Sequence, residues 1–220
     1  MRKSVFVNGE YYHIYNRGTD KRKVFFNGKD YQRFVDSMLL FNDTEPIGHL
    51  DRELSVEAKP RREVLVSIVA YCLMPNHFHL LLKQVRDNGI SKYLQKLLTG
   101  YTMFFNKKYD RSGVLCQGVF KSKHIKDDPY LLHLSRYIHL NPREVCAADF
   151  IDEQIINKAL GEYQWSSYAD YLGTRDDDGL ADGKNIVLDM FKNGRGYSDF
   201  VLDQLKNNND DLSRFRLDKR

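Results

Sequence analysis

The stretch that most constrains this chain is residues 64–84. Two apolar runs, Val64 to Leu73 and His77 to Gln84, are separated only by Met74-Pro75-Asn76. Strand-length apolar runs around so short a Pro-Asn break predict an antiparallel hairpin. Its second strand opens with His77-Phe78-His79. Side chains alternate along a strand, so His77 and His79 share one side and Phe78 takes the other. Two adjacent imidazoles make half a shell for a divalent metal, if a third ligand arrives from elsewhere. The plainer alternative is two histidines on a solvated strand face.

The flanking periodicities supply partners for that hairpin. Tyr11 to Arg17 alternates like a strand and stops at Gly18, and Tyr31, Phe34, Val35, Met38 and Leu39 follow helical spacing. Ile90, Tyr93, Leu94, Leu97, Leu98, Tyr101, Phe104 and Phe105 mark a long amphipathic helix. Val119 to Ile125 reads as another strand, and Pro129 opens a helix running to about Asn141. The order β-α-β-β-α-β followed by a helix predicts an α+β fold, a ferredoxin-like antiparallel sheet with packed helices. Residues 42–62 read as an irregular insertion and residues 175–184 as an acidic loop, with a charged helix or tail from Val201. We therefore expect a core domain over residues 1–150 and a helical appendage over 151–220.

With 29% charged and 13% aromatic residues in 220, the chain has the composition of a folded protein. It lacks the ~20-residue apolar run of a membrane helix, and its opening apolar stretch is too short for a signal peptide. Cys72, Cys116 and Cys146 have no Cys-x-x-Cys spacing and are expected to be reduced thiols, which points to the cytoplasm. Charge is unevenly spread: residues 83–126 carry ten Lys or Arg against Asp87 and Asp110. Within that stretch Lys92, Lys96, Lys107, Lys108, Arg111, Lys121, Lys123 and Lys126 are interleaved with Tyr93, Tyr101, Phe104, Phe105 and Tyr109. Such a mixture suits a phosphate backbone with unpaired bases, although a solvated basic face has the same composition. His124 sits among these lysines and is better placed for phosphate than for metal. Arg17 and Lys21 to Lys23, after the first strand, are further candidates.

On the helix opened by Pro129, His133, Tyr137 and Asn141 lie at i, i+4 and i+8, one stripe on one face. If that stripe faces His77 and His79, a phenol and an amide join two imidazoles, and a metal held there could polarise a phosphate. A tyrosine can act as a nucleophile if its deprotonation is assisted, because its ordinary pKa is ~10. A half-buried packing tyrosine and a helix-ending asparagine before Pro142 are the plainer alternatives.

Four motifs together carry a family resemblance. They are Tyr12-His-Ile-Tyr-Asn-Arg-Gly18, Tyr71-Cys-Leu-Met-Pro-Asn-His-Phe-His-Leu-Leu-Leu82, Tyr109-Asp-Arg-Ser-Gly113 with Gln117-Gly-Val-Phe-Lys121, and Arg136-Tyr-Ile-His-Leu-Asn-Pro142. With them the chain resembles the single-tyrosine HUH transposases, in the REP-associated branch, over roughly residues 10–172. Tyr163-Gln-Trp-Ser-Ser-Tyr168 is similar to that branch as well. The resemblance implies that His77, His79 and Asn141 hold Mg²⁺ or Mn²⁺ and that Tyr137 is the nucleophile. It also implies cleavage of single-stranded DNA at hairpin-flanked sites through a 5′-phosphotyrosine, by a monomer or homodimer. The chain departs from the family after Pro142, where Arg143-Glu-Val-Cys-Ala-Ala148 replaces a small apolar run. A domesticated, non-cleaving binder of structured DNA or RNA is the alternative function, and a phosphoesterase using water as nucleophile is a third.

Overall fold

The computed structural model describes residues 5–45, 63–147, 152–175, 179–191 and 196–206. Most of the expected insertion, residues 176–178 of the acidic loop and the chain beyond residue 206 lie outside these residues. A four-stranded antiparallel sheet forms the centre, built from β1 (Tyr11–Arg17), β2 (Val66–Met74), β3 (His77–Gln84) and β4 (Lys121–Ile125) in the order β2-β3-β1-β4. This is the strand order of a ferredoxin-like split β-α-β unit, so the expected α+β class holds.

The Pro75-Asn76 turn joins β2 to β3, and Met74 pairs with His77. The carbonyl of Asn76 accepts from the Gly18 amide at 2.8 Å, and that of Pro75 accepts from Val24 at 2.8 Å. The turn is therefore tied to the exit of β1, which holds the first residues of β3 in place.

Both faces of the sheet are covered, and alternation decides which residue meets which cover. Tyr12, Ile14, Phe78, Leu80 and Leu82 face helices α1 (Gly28–Leu40) and α2 (Gly89–Lys108), packing with Phe34, Met38, Tyr93, Leu97 and Tyr101. Helix α1 starts on a capping box of Asn27 and Asp30. On the other face Ala70, Cys72, Met74 and Leu81 meet Leu131, Leu134 and Ile138 of α3 (Asp128–Leu140). Asp127 caps that helix, accepting from the Tyr130 amide at 2.7 Å. Pro129 occupies its first turn, where the sequence reading put the helix start.

The chain continues through α4 (Arg143–Cys146), α5 (Glu153–Glu162), α6 (Tyr168–Leu172), α7 (Asn185–Leu188) and α8 (Tyr197–Lys206). Ile156, Leu160, Tyr168, Tyr171, Val187, Tyr197 and Val201 share one core with β2 and α3. The expected boundary near 150 falls within residues 148–151, outside the described residues. Residues 163–167 contribute something periodicity did not reveal, since they run along the outer edge of β2. Leu73 donates its amide to the Trp165 carbonyl at 2.8 Å, and Ser167 donates to the Tyr71 carbonyl at 3.0 Å. That segment covers an edge which would otherwise expose unpaired amides.

Candidate active site

Three strands and one helix end converge on the His77 side of the sheet. His77 pairs across with Arg17, His79 with Tyr15, and Leu81 with His13, so Arg17, Tyr15 and His13 line the same face as the histidines. Phe78 points away and packs against Phe34 at a ring separation of 5.5 Å. On α3, the i, i+4 spacing brings Tyr137 and Asn141 over these strands. The Tyr137 ring stands edge-on to His79 at 5.3 Å and to His13 at 6.4 Å. Asn141 caps the C-terminus of the helix and donates its Nδ2 to the Tyr137 carbonyl at 2.7 Å. The third residue of the stripe, His133, takes a separate role, with Nδ1 at 2.7 Å from the Arg136 guanidinium.

Hydrogen bonds behind the site fix which atoms it presents. With its Nδ2 on the Tyr137 carbonyl, Asn141 turns Oδ1 toward His77 Nε2, 3.5 Å away. Asn76 donates Nδ2 to the Lys21 carbonyl at 3.2 Å, which leaves its Oδ1 to accept from His77 Nδ1 at 2.6 Å. His77 is thus protonated on Nδ1 and directs the Nε2 lone pair at the Asn141 oxygen. Two lone pairs facing each other repel unless a cation or a donor sits between them.

His79 is 0% exposed, and its Nδ1 lies 2.9 Å from Nε2 of His13, itself 1% exposed. Its other nitrogen, Nε2, is buried without a hydrogen-bond partner among the described residues. Such orphaned atoms are rare in native proteins. Burial, followed by the nearby His13 and His77, keeps the His79 pKa well below its ordinary value. Burial and then Lys123 lower that of His13 to about 3. Both rings are therefore neutral, as metal-facing imidazoles must be. Two imidazole nitrogens and an amide oxygen are donors that a divalent cation can accept, and the orphaned Nε2 fits a cation. Among the described residues no three His, Cys, Asp or Glu side chains gather as a metal site, so this set depends on Asn141.

Comparison with known proteins bears on this geometry. Residues 51–141 match the model of the IS200-like transposases. The match spans 91 of the 220 residues, less than half of the chain. The chain also resembles a solved REP-associated tyrosine transposase bound to a REP hairpin, with a TM-score of 0.52 and 13% identity. The match covers 81% of this chain and 89% of that one, and it shows a shared fold. No curated protein matches the chain.

Within this fold the basic residues sort by face. Arg17 lies on the site face, opposite His77, and Lys121 and Lys123 join it by pairing with Tyr15 and His13. Lys123 also sits over the Tyr130 ring at 4.8 Å. Helix α2 covers the opposite face, so Lys92, Lys96, Lys107 and Lys108 are across the sheet from the histidines, and Arg111 follows that helix. Lys96 donates to the carbonyls of Asp43 and Glu45 at 2.7 and 2.9 Å, and Lys108 pairs with Asp30 at 2.5 Å. His124 also faces away from the site, with Nε2 2.9 Å from a Glu10 carboxylate oxygen. Lys126 follows β4 and is exposed. The motif neighbour His139 is structural, buried between Tyr197 and Ser167 at 2.7 Å from each hydroxyl.

His13 was not among the candidates from sequence. Its signal was alternation: His13, Tyr15 and Arg17 share a face of β1, but which face could not be known without the pairing. Cys72, Cys116 and Cys146 are all unbridged. Among the described residues no helix is long and apolar enough to cross a membrane.

Proposed function

We propose that this chain is a metal-dependent tyrosine transposase that nicks and rejoins single-stranded or hairpin DNA. The observation that carries the reading is the convergence of Tyr137 on His79, at 5.3 Å between rings, where Asn141 Oδ1 and His77 Nε2 already face each other. His77 and His79 come from β3, and Tyr137 and Asn141 from α3, 58 residues on from His79 to Tyr137, so docking of that helix on the sheet is what assembles the set.

The reaction follows from the residues. Arg17, Lys121 and Lys123 hold the phosphate backbone on the site face. Tyr137 loses its phenolic proton to solvent and its Oη attacks the phosphorus. The bond from phosphorus to the 3′ oxygen breaks, that oxygen takes a proton, and the 5′ phosphate remains on Tyr137 as a diester. One phosphodiester is exchanged for another, so attack by a new 3′-OH reverses the step without ATP. Held by His77, His79 and Asn141, Mg²⁺ or Mn²⁺ would act as a Lewis acid on the phosphate. Asn141 also anchors the Tyr137 turn through its hydrogen bond to that carbonyl.

The test is to incubate the protein with labelled, hairpin-flanked single-stranded DNA and Mn²⁺, then look for a covalent adduct under denaturing conditions. We expect an adduct that is lost in Tyr137→Phe. Tight binding without an adduct would favour a non-cleaving binder, and cleavage that survives Tyr137→Phe would favour a water nucleophile.

A further inference from the structure

We infer that His13 is a positioning residue for this site, accepting the Nδ1–H of His79 on its own Nε2 and so holding the His79 Nε2 lone pair toward the metal position. The inference rests on the metal reading above.

The geometry narrows the roles of the two rings. A 2.9 Å contact between His79 Nδ1 and His13 Nε2 allows one proton between them. If His13 supplied it, neutral His79 would carry its proton on Nε2. That N–H would then be buried with nothing to receive it, because Nε2 has no hydrogen-bond partner among the described residues. A buried, unanswered N–H is the costlier orphan, whereas a lone pair is what a cation requires. The assignment with the proton on His79 Nδ1 removes this difficulty.

His13 is also placed to act with little freedom of its own. It lies on β1, the central strand next to β3, and pairs with Leu81 on one side and Lys123 on the other. Its ring lies within 20° of parallel to that of His79, with centroids 5.1 Å apart, and is tilted against Tyr15 at 4.8 Å. Metal-binding histidines ordinarily donate their second N–H to a carboxylate or a carbonyl, which fixes tautomer and ring plane. Here a neutral imidazole takes that part. The two imidazoles and the amide bring no negative charge, so a bound cation would keep its full charge for the DNA phosphates.

The test needs no activity measurement. Long-range ¹H–¹⁵N correlation of the imidazoles in the metal-free, unaltered chain reads the tautomers directly. We expect His79 protonated on Nδ1 and His13 with an unprotonated Nε2. Titration with Mn²⁺ alone then compares the unaltered chain with His13→Leu, which removes the acceptor, and His13→Gln, whose Oε1 replaces it. We expect about 10–100-fold weaker Mn²⁺ binding in His13→Leu. In His13→Gln, affinity should return to within about threefold of the unaltered chain, with melting temperature reported separately. His79 protonated on Nε2, or Mn²⁺ affinity unchanged in a folded His13→Leu, overturns the role of His13. If His13→Leu does not fold, the tautomer and His13→Gln decide, and weak binding by folded His13→Gln overturns it. Failure of the metal reading has a different signature: the unaltered chain binds no Mn²⁺, and both proposals fall.

Discussion

Replacing His139 with asparagine should change how stability depends on pH. His139 is buried on α3, with Nδ1 at 2.7 Å from the Tyr197 hydroxyl and Nε2 at 2.7 Å from the Ser167 hydroxyl. The rings of Tyr168 and Tyr171 enclose it at 5.4 and 4.6 Å. Burial lowers its pKa to about 3, so the folded protein keeps it neutral. In the unfolded chain it titrates near ~6.5. Below that value the unfolded chain binds more protons, so this contribution is present above pH ~6.5 and is lost as pH falls toward the folded value. Between about pH 7 and about pH 5 the loss is about 2 kcal/mol. Asparagine has no such titration. Near pH 7 the variant should be less stable by about 2–4 kcal/mol, because the contacts joining α3 to α8 and to the β2 edge are weakened. Near pH 5 that gap should narrow by about 2 kcal/mol. His13 and His79 remain in both proteins, so their contributions cancel in the difference. Urea unfolding followed by circular dichroism at several pH values measures the gap. If the two stability profiles run parallel from pH ~7 to ~5, His139 is not held neutral by the fold and the reasoning is refuted.

Four further outcomes follow from the same structure. Asp30 is fully buried; burial alone would raise its pKa, but hydrogen bonds from Lys108, the Phe26 amide and Tyr109 lower it on balance. Its stabilisation is therefore present above the ordinary carboxylate range and lost as pH falls through the lowered value. Lys108→Met should cost about 3 kcal/mol in urea unfolding near neutral pH, because it leaves a buried carboxylate without its cation. At Gly18 an added Cβ would meet the Arg22 carbonyl oxygen, so Gly18→Ala should destabilise by about 1–3 kcal/mol in the same assay and disturb the turn before His77. For DNA, Lys121→Ala and Lys123→Ala should each flatten the salt dependence of binding by about one phosphate contact, and Lys96→Ala should leave it unchanged. With no acidic ligand in the donor set, Mn²⁺ should bind more tightly when single-stranded DNA is present, and DNA affinity should rise with Mn²⁺ by the same factor.

Much of the candidate site could be read before any contact was known. Alternation within β3 put His77 and His79 together and sent Phe78 the other way; helical spacing put Tyr137 and Asn141 on one stripe. The hairpin, the two long helices and the helix start at Pro129 were equally legible. These features depend on neighbours within a few residues, where the backbone geometry of a strand or helix decides the outcome. Tertiary structure decided the rest. His13 meets His79 across 66 positions of sequence, and only the β1–β3 register puts it there. Lysines that look alike in sequence separate because α2 and α3 cover opposite faces of the sheet, leaving Lys121 and Lys123 with the site and Lys96 behind it. The same long-range packing lays residues 163–167 along the β2 edge and encloses His139 between Ser167 and Tyr197. A local pattern sets which residues share a face; strand register and helix docking set what that face meets, and burial then decides which side chains can carry charge.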